Sequence, residues 1–164
     1  MRGTSNAMDG SMDICVRIAR PGDCEPLARL RAALWPESSA EEHARELVSI
    51  LDGKALGTMP LIELVAEERG GTLVGFAEVG QRSHADGCDT SRAVGYLEGW
   101  YVAENRRKRG IGRKLLLAAE EWAGKQGCVE MASDALLENE GSQLAHRALG
   151  YAEVDRCVRF RKTL

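Results

Sequence analysis

Four cations and two glycines stand in one short stretch of the chain, Arg106-Arg107-Lys108-Arg109-Gly110-Ile111-Gly112. A pyrophosphate is held best by several backbone N–H groups aimed at one point. A turn that opens a helix supplies them, and the helix dipole adds partial positive charge. Glycine lets that backbone approach an anion with no Cβ in the way, and arginine suits phosphate geometry. Arg107, Lys108, Arg109, Gly110, Ile111, Gly112 and Arg113 are therefore candidate anion-binding residues. A solvated basic turn would use the same residue types. Two other phosphate motifs fail on pattern: Leu115 stands where a dinucleotide fingerprint needs its third glycine, and no G-x-x-x-x-G-K-[ST] run exists.

Three further side chains have the chemistry of proton transfer. Glu98 sits just before Gly99 in an otherwise apolar run of Val94, Tyr96, Leu97 and Trp100. Burial there would raise its pKa toward the range of a general base; the alternative is a solvent-facing strand carboxylate. Asp134 follows the next apolar run, at a strand end where α/β folds tend to place ligand groups, or it is a turn or helix-cap aspartate. His146 could give up a proton near neutral pH, or simply pack.

The elements that must position these residues follow from periodicity. Ile14, Val16 and Ile18 alternate as a first strand, and Pro21-Gly22-Asp23 breaks it, with Asp23 as the expected cap of a helix carrying Leu27, Leu30, Ala33 and Leu34. Trp35-Pro36 ends that helix. Ser39 and Glu42 form a capping box for a second helix running to Leu51. Strands at 61–67 and 73–79 flank the turn Arg69-Gly70-Gly71 as a hairpin. A polar loop over 81–91 holds Asp86-Gly87-Cys88-Asp89. Residues 94–102 read as a central strand in which Gly99 marks a bulge or a close backbone approach. An amphipathic helix then puts Ile111, Leu115, Ala119, Trp122 and Ala123 on one face. A strand over 129–133, a helix over 139–149 and one or two last strands over 151–161 complete the chain. The order predicts a mixed α/β fold in one domain, a central mixed sheet flanked by helices.

Composition excludes several classes. The 164 residues are 44% hydrophobic and 29% charged with a net charge of −3, which is not the basic footprint of a nucleic-acid binder. No apolar run approaches the length of a membrane span, and the first residues lack the apolar core of a signal peptide. Met1-Arg2-Gly3-Thr4-Ser5-Asn6-Ala7 resembles an expression scar, so 1–11 reads as a tag or unstructured stretch and 12–164 as the domain. The five cysteines are scattered and odd in number, which argues against a disulfide framework and for a reducing cytoplasm. The three histidines are far apart, so no metal is expected.

These residues resemble the GNAT superfamily of N-acetyltransferases. Its coenzyme A motif, [Arg/Gln]-x-x-Gly-x-[Gly/Ala], matches Arg107 to Gly112 after the expected bulged strand; Asn139 precedes His146 at the family's spacing, and Leu149-Gly150-Tyr151 sits where the family has Leu-Gly-Phe. Within it, the chain is similar to aminoglycoside 6'-N-acetyltransferases at Leu34-Trp35-Pro36, Asp86 to Asp89, Leu97-Glu98-Gly99, Met131 to Asp134 and Glu138-Asn139. The resemblance implies acetyl-CoA as the acetyl donor and a homodimer. It implies that backbone N–H groups around Trp100, Tyr101 and Val102 hold and polarise the thioester, that Glu98 acts as base through a water, and that Asp134 meets the 6'-amine or serves as a second base. Many relatives have a tyrosine where His146 stands, so His146 is either the acid or a coenzyme contact. Asn139 bonds the pantetheine arm or caps a helix. A polycationic sugar also calls for carboxylates and an aromatic face. Trp35, Glu37, Asp86 and Asp89 could join Glu98 and Asp134 in that role; for Trp35 the alternative is core packing, for the two loop aspartates a solvated turn.

Overall fold

A computed structural model describes residues 13–53 and 59–163. The stretch 1–11 expected to be a tag lies outside the described residues. The elements are β1 (Ile14–Ile18), a 3-10 turn (Pro21–Asp23), α1 (Cys24–Leu34), α2 (Ala40–Leu51), β2 (Leu61–Glu68), β3 (Leu73–Arg82), β4 (Val94–Val102), a second 3-10 turn (Glu104–Arg106), α3 (Ile111–Lys125), β5 (Met131–Ser133) and α4 (Glu140–Ala148). The sheet order is β1-β2-β3-β4-β5, antiparallel except for the parallel β4–β5 pair.

Two apolar clusters cover the two faces of this sheet. On one, Ile111, Leu115, Leu116 and Ala119 of α3 pack on Leu64, Ala66, Val74, Ala77, Val79 and Leu97. On the other, Leu27 and Ala28 of α1 and Leu47 of α2 pack on Val65, Leu73 and Phe76. The alternation of β2 and β3 between these faces is that of strands buried on both sides. The Ser39–Glu42 capping box forms as expected, with the Glu42 N–H donating to Ser39 Oγ at 3.2 Å and the Ser39 N–H to Glu42 Oε2 at 2.8 Å.

The β3–β4 ladder carries the feature that matters most for function. Val79 pairs with Leu97 and Glu78 with Gly99, so Glu98 is the extra residue. A bulge re-aims the strand, and here it inverts the face pattern: Leu97 and Trp100, three residues apart, both pack on the α3 side, while Tyr101 packs with the α1 cluster. On its other edge β4 pairs with β5 only from Gly95 to Leu97. Beyond the Leu97–Ser133 pair the two parallel strands part.

Three expectations need correction. Asp23 does not cap α1 with its side chain; its carboxylate instead accepts from the Arg20 N–H at 2.8 Å and from Arg17. The strand expected from 129 is only Met131–Ser133, because its partner residues on β4 begin at Gly95. No strand forms over 151–161. A strand pattern becomes a strand only beside an edge that supplies its hydrogen bonds, and the sheet of the described residues ends at β5.

Candidate active site

The basic turn builds an open helix N-terminus. Gly110 is the N-cap of α3 at φ 77, with no side-chain cap, and the first helical bond runs from the Lys114 N–H to the Gly110 carbonyl. The N–H groups of Ile111, Gly112 and Arg113 thus precede the first intrahelical donor and point out of the helix end. Gly110 meets the expectation for a glycine, since its φ is one that L side chains rarely adopt. Gly112 has a different reason: a Cβ there would lie 2.6 Å from Trp100 Cζ2. The absent side chain makes room for the indole beneath the helix start.

The four cations are not equivalent. Arg106 is committed to Glu68, through Nε and through Nη2 at 3.2 Å, which ties the turn to the end of β2. Arg107 folds back, its Nε donating to the Val102 carbonyl at 3.0 Å and its guanidinium 5.5 Å from the Tyr101 ring. Lys108, with φ 61, and Arg109 are exposed beside the helix start. Lys108, with the three N–H groups, is available to an anion. Beyond Leu97 the outer edge of β4, from Glu98 to Val102, has no strand beside it among the described residues. That leaves an edge on which an extended polar chain could pair, ending at the helix mouth.

On the opposite side lies a cluster of carboxylates. Glu98 is not buried as expected: its side chain is 24% exposed and is clasped by Arg82 of β3, Nε to Oε1 at 2.9 Å and Nη2 to Oε2 at 2.5 Å. The Arg82 guanidinium also lies 3.3 Å over the Tyr96 ring. Asp134, directly after β5, is held by Arg159 at 2.6 Å. Burial, then the charge of Asp134, pushes the Tyr96 phenol up. Both carboxylates therefore sit where β4 and β5 part, each closed by a guanidinium (one from β3, one from the C-terminal segment).

His146 is held between two aromatic rings, edge-on to Trp100 at 5.6 Å and Tyr151 at 5.5 Å. Its Nδ1 lies 2.8 Å from the Ser142 carbonyl and its Nε2 3.0 Å from Ser133 Oγ, which itself donates to the Leu97 carbonyl at 3.2 Å. The Ser142 hydroxyl also lies 3.3 Å from Nδ1. The chain of bonds links His146 to the backbone immediately before Glu98. The Tyr151 hydroxyl and the Trp100 indole N–H are buried with no partner among the described residues.

The remaining expectations divide. Trp35 joins the site and the core at once: its ring packs edge-on against Phe76 at 5.8 Å, and a Cβ on Gly99 would meet its Cζ2 at 2.4 Å. Glu37 is exposed after the end of α1. Asp86 and Asp89 lie on the exposed loop before β4, and Asp89 is engaged in its own turn, accepting from the Ser91 N–H at 2.9 Å and hydroxyl at 2.7 Å. Asn139 is a helix cap, its side-chain Oδ1 accepting from the Ser142 N–H at 3.0 Å. Arg82, Tyr96, Ser133 and Arg159 were not anticipated. That Glu98 is the inserted residue follows from the register with β3.

Comparison with known proteins agrees with this arrangement. Residues 25–151 match the family model described as the Acetyltransferase (GNAT) family. An aminoglycoside N(6')-acetyltransferase type 1 of Klebsiella aerogenes is 40% identical over 149 residues, 91% of this chain and 96% of its own. One from Serratia marcescens is 43% identical over 136 residues, 82% of this chain and 89% of its own. The solved structure of AAC(6')-Iy in complex with the bisubstrate analog CoA-S-monomethyl-acetylneamine superposes with a TM-score of 0.81 at 34% identity, covering 92% of this chain and 99% of that one. A bulged strand parting from its parallel neighbour, an uncapped helix N-terminus beyond it and a family match over most of the chain lead to one assignment: the chain belongs to the GNAT family of acetyltransferases.

Proposed function

We propose that this protein transfers the acetyl group of acetyl-CoA to the 6'-amine of aminoglycoside antibiotics and so confers resistance to them. The observation that carries the reading is the pair of carboxylates, Glu98 and Asp134, flanking the point where β4 and β5 separate. In this reading the Ile111, Gly112 and Arg113 N–H groups, with Lys108 and Arg109, hold the pyrophosphate at the start of α3. Acetyl-CoA supplies the acetyl group as a thioester. The free edge of β4 over Trp100, Tyr101 and Val102 lines up the donor's extended arm and offers an N–H to the carbonyl. Glu98, on the bulge, takes the proton of the attacking ammonium through a water. Asp134 orients that amine. His146, on the other side of the strand, is the group that returns a proton to the leaving thiolate, held in place by Ser133 and the Ser142 carbonyl. Asn139 keeps its cap role and reaches the donor only through its amide nitrogen. Trp35 supplies the aromatic face for the sugar, and Glu37, Asp86 and Asp89 add negative charge at the rim.

The two arginines on the carboxylates support a cationic acceptor. Each guanidinium stands where an ammonium of a polyamine sugar would stand, and the acceptor takes the places of Arg82 and Arg159 as it binds. All five cysteines are free thiols, which suits a reducing cytoplasm, and no described helix is long and apolar enough to cross a membrane. Residues 12–164 act as one domain, and the working form is a homodimer. The test is thiol release from acetyl-CoA by the purified protein with kanamycin or tobramycin, alongside spermidine and an amino-terminal peptide. Turnover on the 6'-amino aminoglycosides is expected. Preference for spermidine or the peptide would assign a different amine, and no release with any aminoglycoside would reject the reading.

A further inference from the structure

Beneath the β4 bulge lies an ionic cluster that none of the roles above uses. The register places Glu63 opposite Glu78 and Glu78 opposite Gly99, so two carboxylates and the bulge glycine form one row across β2, β3 and β4. Like charges directly opposite one another destabilise a sheet. Here Arg31 of α1 covers them, its Nη1 donating to both Glu63 and Glu78 and its Nη2 to Glu46 at 3.2 Å. The Nε faces His43 Nδ1 at 3.5 Å, and His43 Nε2 lies 3.2 Å from the Trp35 carbonyl. With Nδ1 accepting from the Arg31 Nε–H, Nε2 is left to donate to the Trp35 carbonyl. The Arg31 guanidinium also lies 4.9 Å from the Trp35 ring, and that ring fills the space a Cβ on Gly99 would need. Arg31 thus holds Trp35 twice: by its ring directly, and by its carbonyl through His43.

We propose that Arg31 is a positioning residue for the acceptor side of the site: clamped by Glu63 and Glu78, it fixes the Trp35 indole against Gly99 and so sets the bulge that aims Glu98. The inference rests on the acceptor-site reading given above. Two physical points support it. First, replacing a buried ion cluster by apolar side chains of similar volume is often neutral or stabilising, so stability alone gives little reason for Arg31, Glu63 and Glu78 to occupy the core. Second, the cluster balances its charge: burial and the neighbouring Glu78 push the Glu63 carboxyl well up. Glu78 pairs with Arg31, and Glu46 stands at the outer, half-exposed edge. A guanidinium is suited to this task because it can donate in several directions in one plane and still stack on a ring. Lysine has the charge but not the fork.

The test uses Arg31→Lys and the apolar triple variant Arg31→Met/Glu63→Leu/Glu78→Leu, with melting temperature as the check on folding. In both, the KM for tobramycin is expected to rise on the order of tenfold or more while the KM for acetyl-CoA stays within about twofold. In the free proteins, hydrogen exchange should quicken at amides 98–101 and keep its protection over 111–119. If the triple variant does not fold, Arg31→Lys decides alone. An unchanged acceptor KM with unchanged exchange at 98–101, or equal rises in both KM values, would overturn the proposal. Should the unmodified protein turn over no aminoglycoside, the substrate reading fails, and the exchange measurement still decides the role of Arg31.

Discussion

Glu98→Gln is close to isosteric, so it keeps the bulge and a contact to Arg82 through one oxygen while deleting the basicity. Loss of a positioned general base costs roughly 10²–10⁴ in rate. Turnover should fall by about that much, while calorimetry finds acetyl-CoA bound with affinity within about threefold of the parent, because no phosphate contact is touched. Equal loss of both would remove Glu98 from the base role. Glu63 lends itself to a second experiment. Its carboxyl is raised in the folded protein, so the folded state binds more protons than the unfolded one between the two values. The stability this proton contributes is present in full below about 4.5, the ordinary glutamate value, and is lost as pH climbs through the raised folded value. Glu63→Gln carries no such proton. Its melting temperature relative to the parent should therefore rise as pH climbs above about 4.5, and a flat difference would mean that the Glu63 carboxyl is not raised in the fold. Of these residues Glu98 was legible, since a lone carboxylate before a glycine in an apolar strand is unusual. Arg31, Arg82 and Arg159 were not. Each is partnered across 16 to 47 positions of chain, and periodicity carries no signal for a contact of that kind.

At the scale of the elements, the start of α3 separates two uses of glycine. At Gly110 nothing lies within 4 Å of a built Cβ, so a side chain there meets only the backbone cost of φ 77, about 1–2 kcal/mol per residue for an L-amino acid and more when β-branched. Gly110→Val should weaken acetyl-CoA by moving the N–H groups off their common point, with little loss of core packing. At Gly112 the obstacle is Trp100, and Gly112→Ala should cost stability as well, about 1–3 kcal/mol by overpacking. Calorimetry with acetyl-CoA and thermal melts of both variants separate these outcomes; unchanged coenzyme affinity in Gly110→Val would refute the cradle. The helices and most strands were readable in advance because their signals are local: the capping box at Ser39, the proline after Trp35, the alternation of β1 and the stripe of α3. Asp23 misled because its carboxylate has a better partner in Arg17, a strand away in space and six residues back in sequence. The bulge was readable as an irregularity at Gly99. That Glu98 itself is the skipped residue depends on the pairing with β3, which only the register supplies.

For the molecule as a whole, the C-terminal segment is the part whose sequence and structure diverge. Val154, Val158 and Phe160 share the parity of one strand face, as a β-strand would require. Yet the segment is unpaired and these side chains are exposed, Phe160 by 93%. It is not adrift, since Arg159 reaches Asp134 and Arg156 and Arg147 both reach Glu153, holding that carboxyl down at about 2. Leu136, Leu137 and Leu144, on the loop and helix after β5, are exposed as well. A three-residue edge strand, a neighbouring stretch with an unused strand pattern and several uncovered apolar side chains are what an interface between two copies would consume. This is the physical ground for the homodimer proposed above, and it links assembly to the site through Arg159. Sedimentation equilibrium of the intact protein should give twice the chain mass at micromolar concentration. Val158→Asp/Phe160→Asp should shift it to the monomer, because two carboxylates cannot be buried unpaired in such an interface. The same variant should alter the acceptor KM before the acetyl-CoA KM, since Arg159 closes Asp134 and not the pyrophosphate end. A double variant that remained dimeric would place the interface elsewhere on the surface.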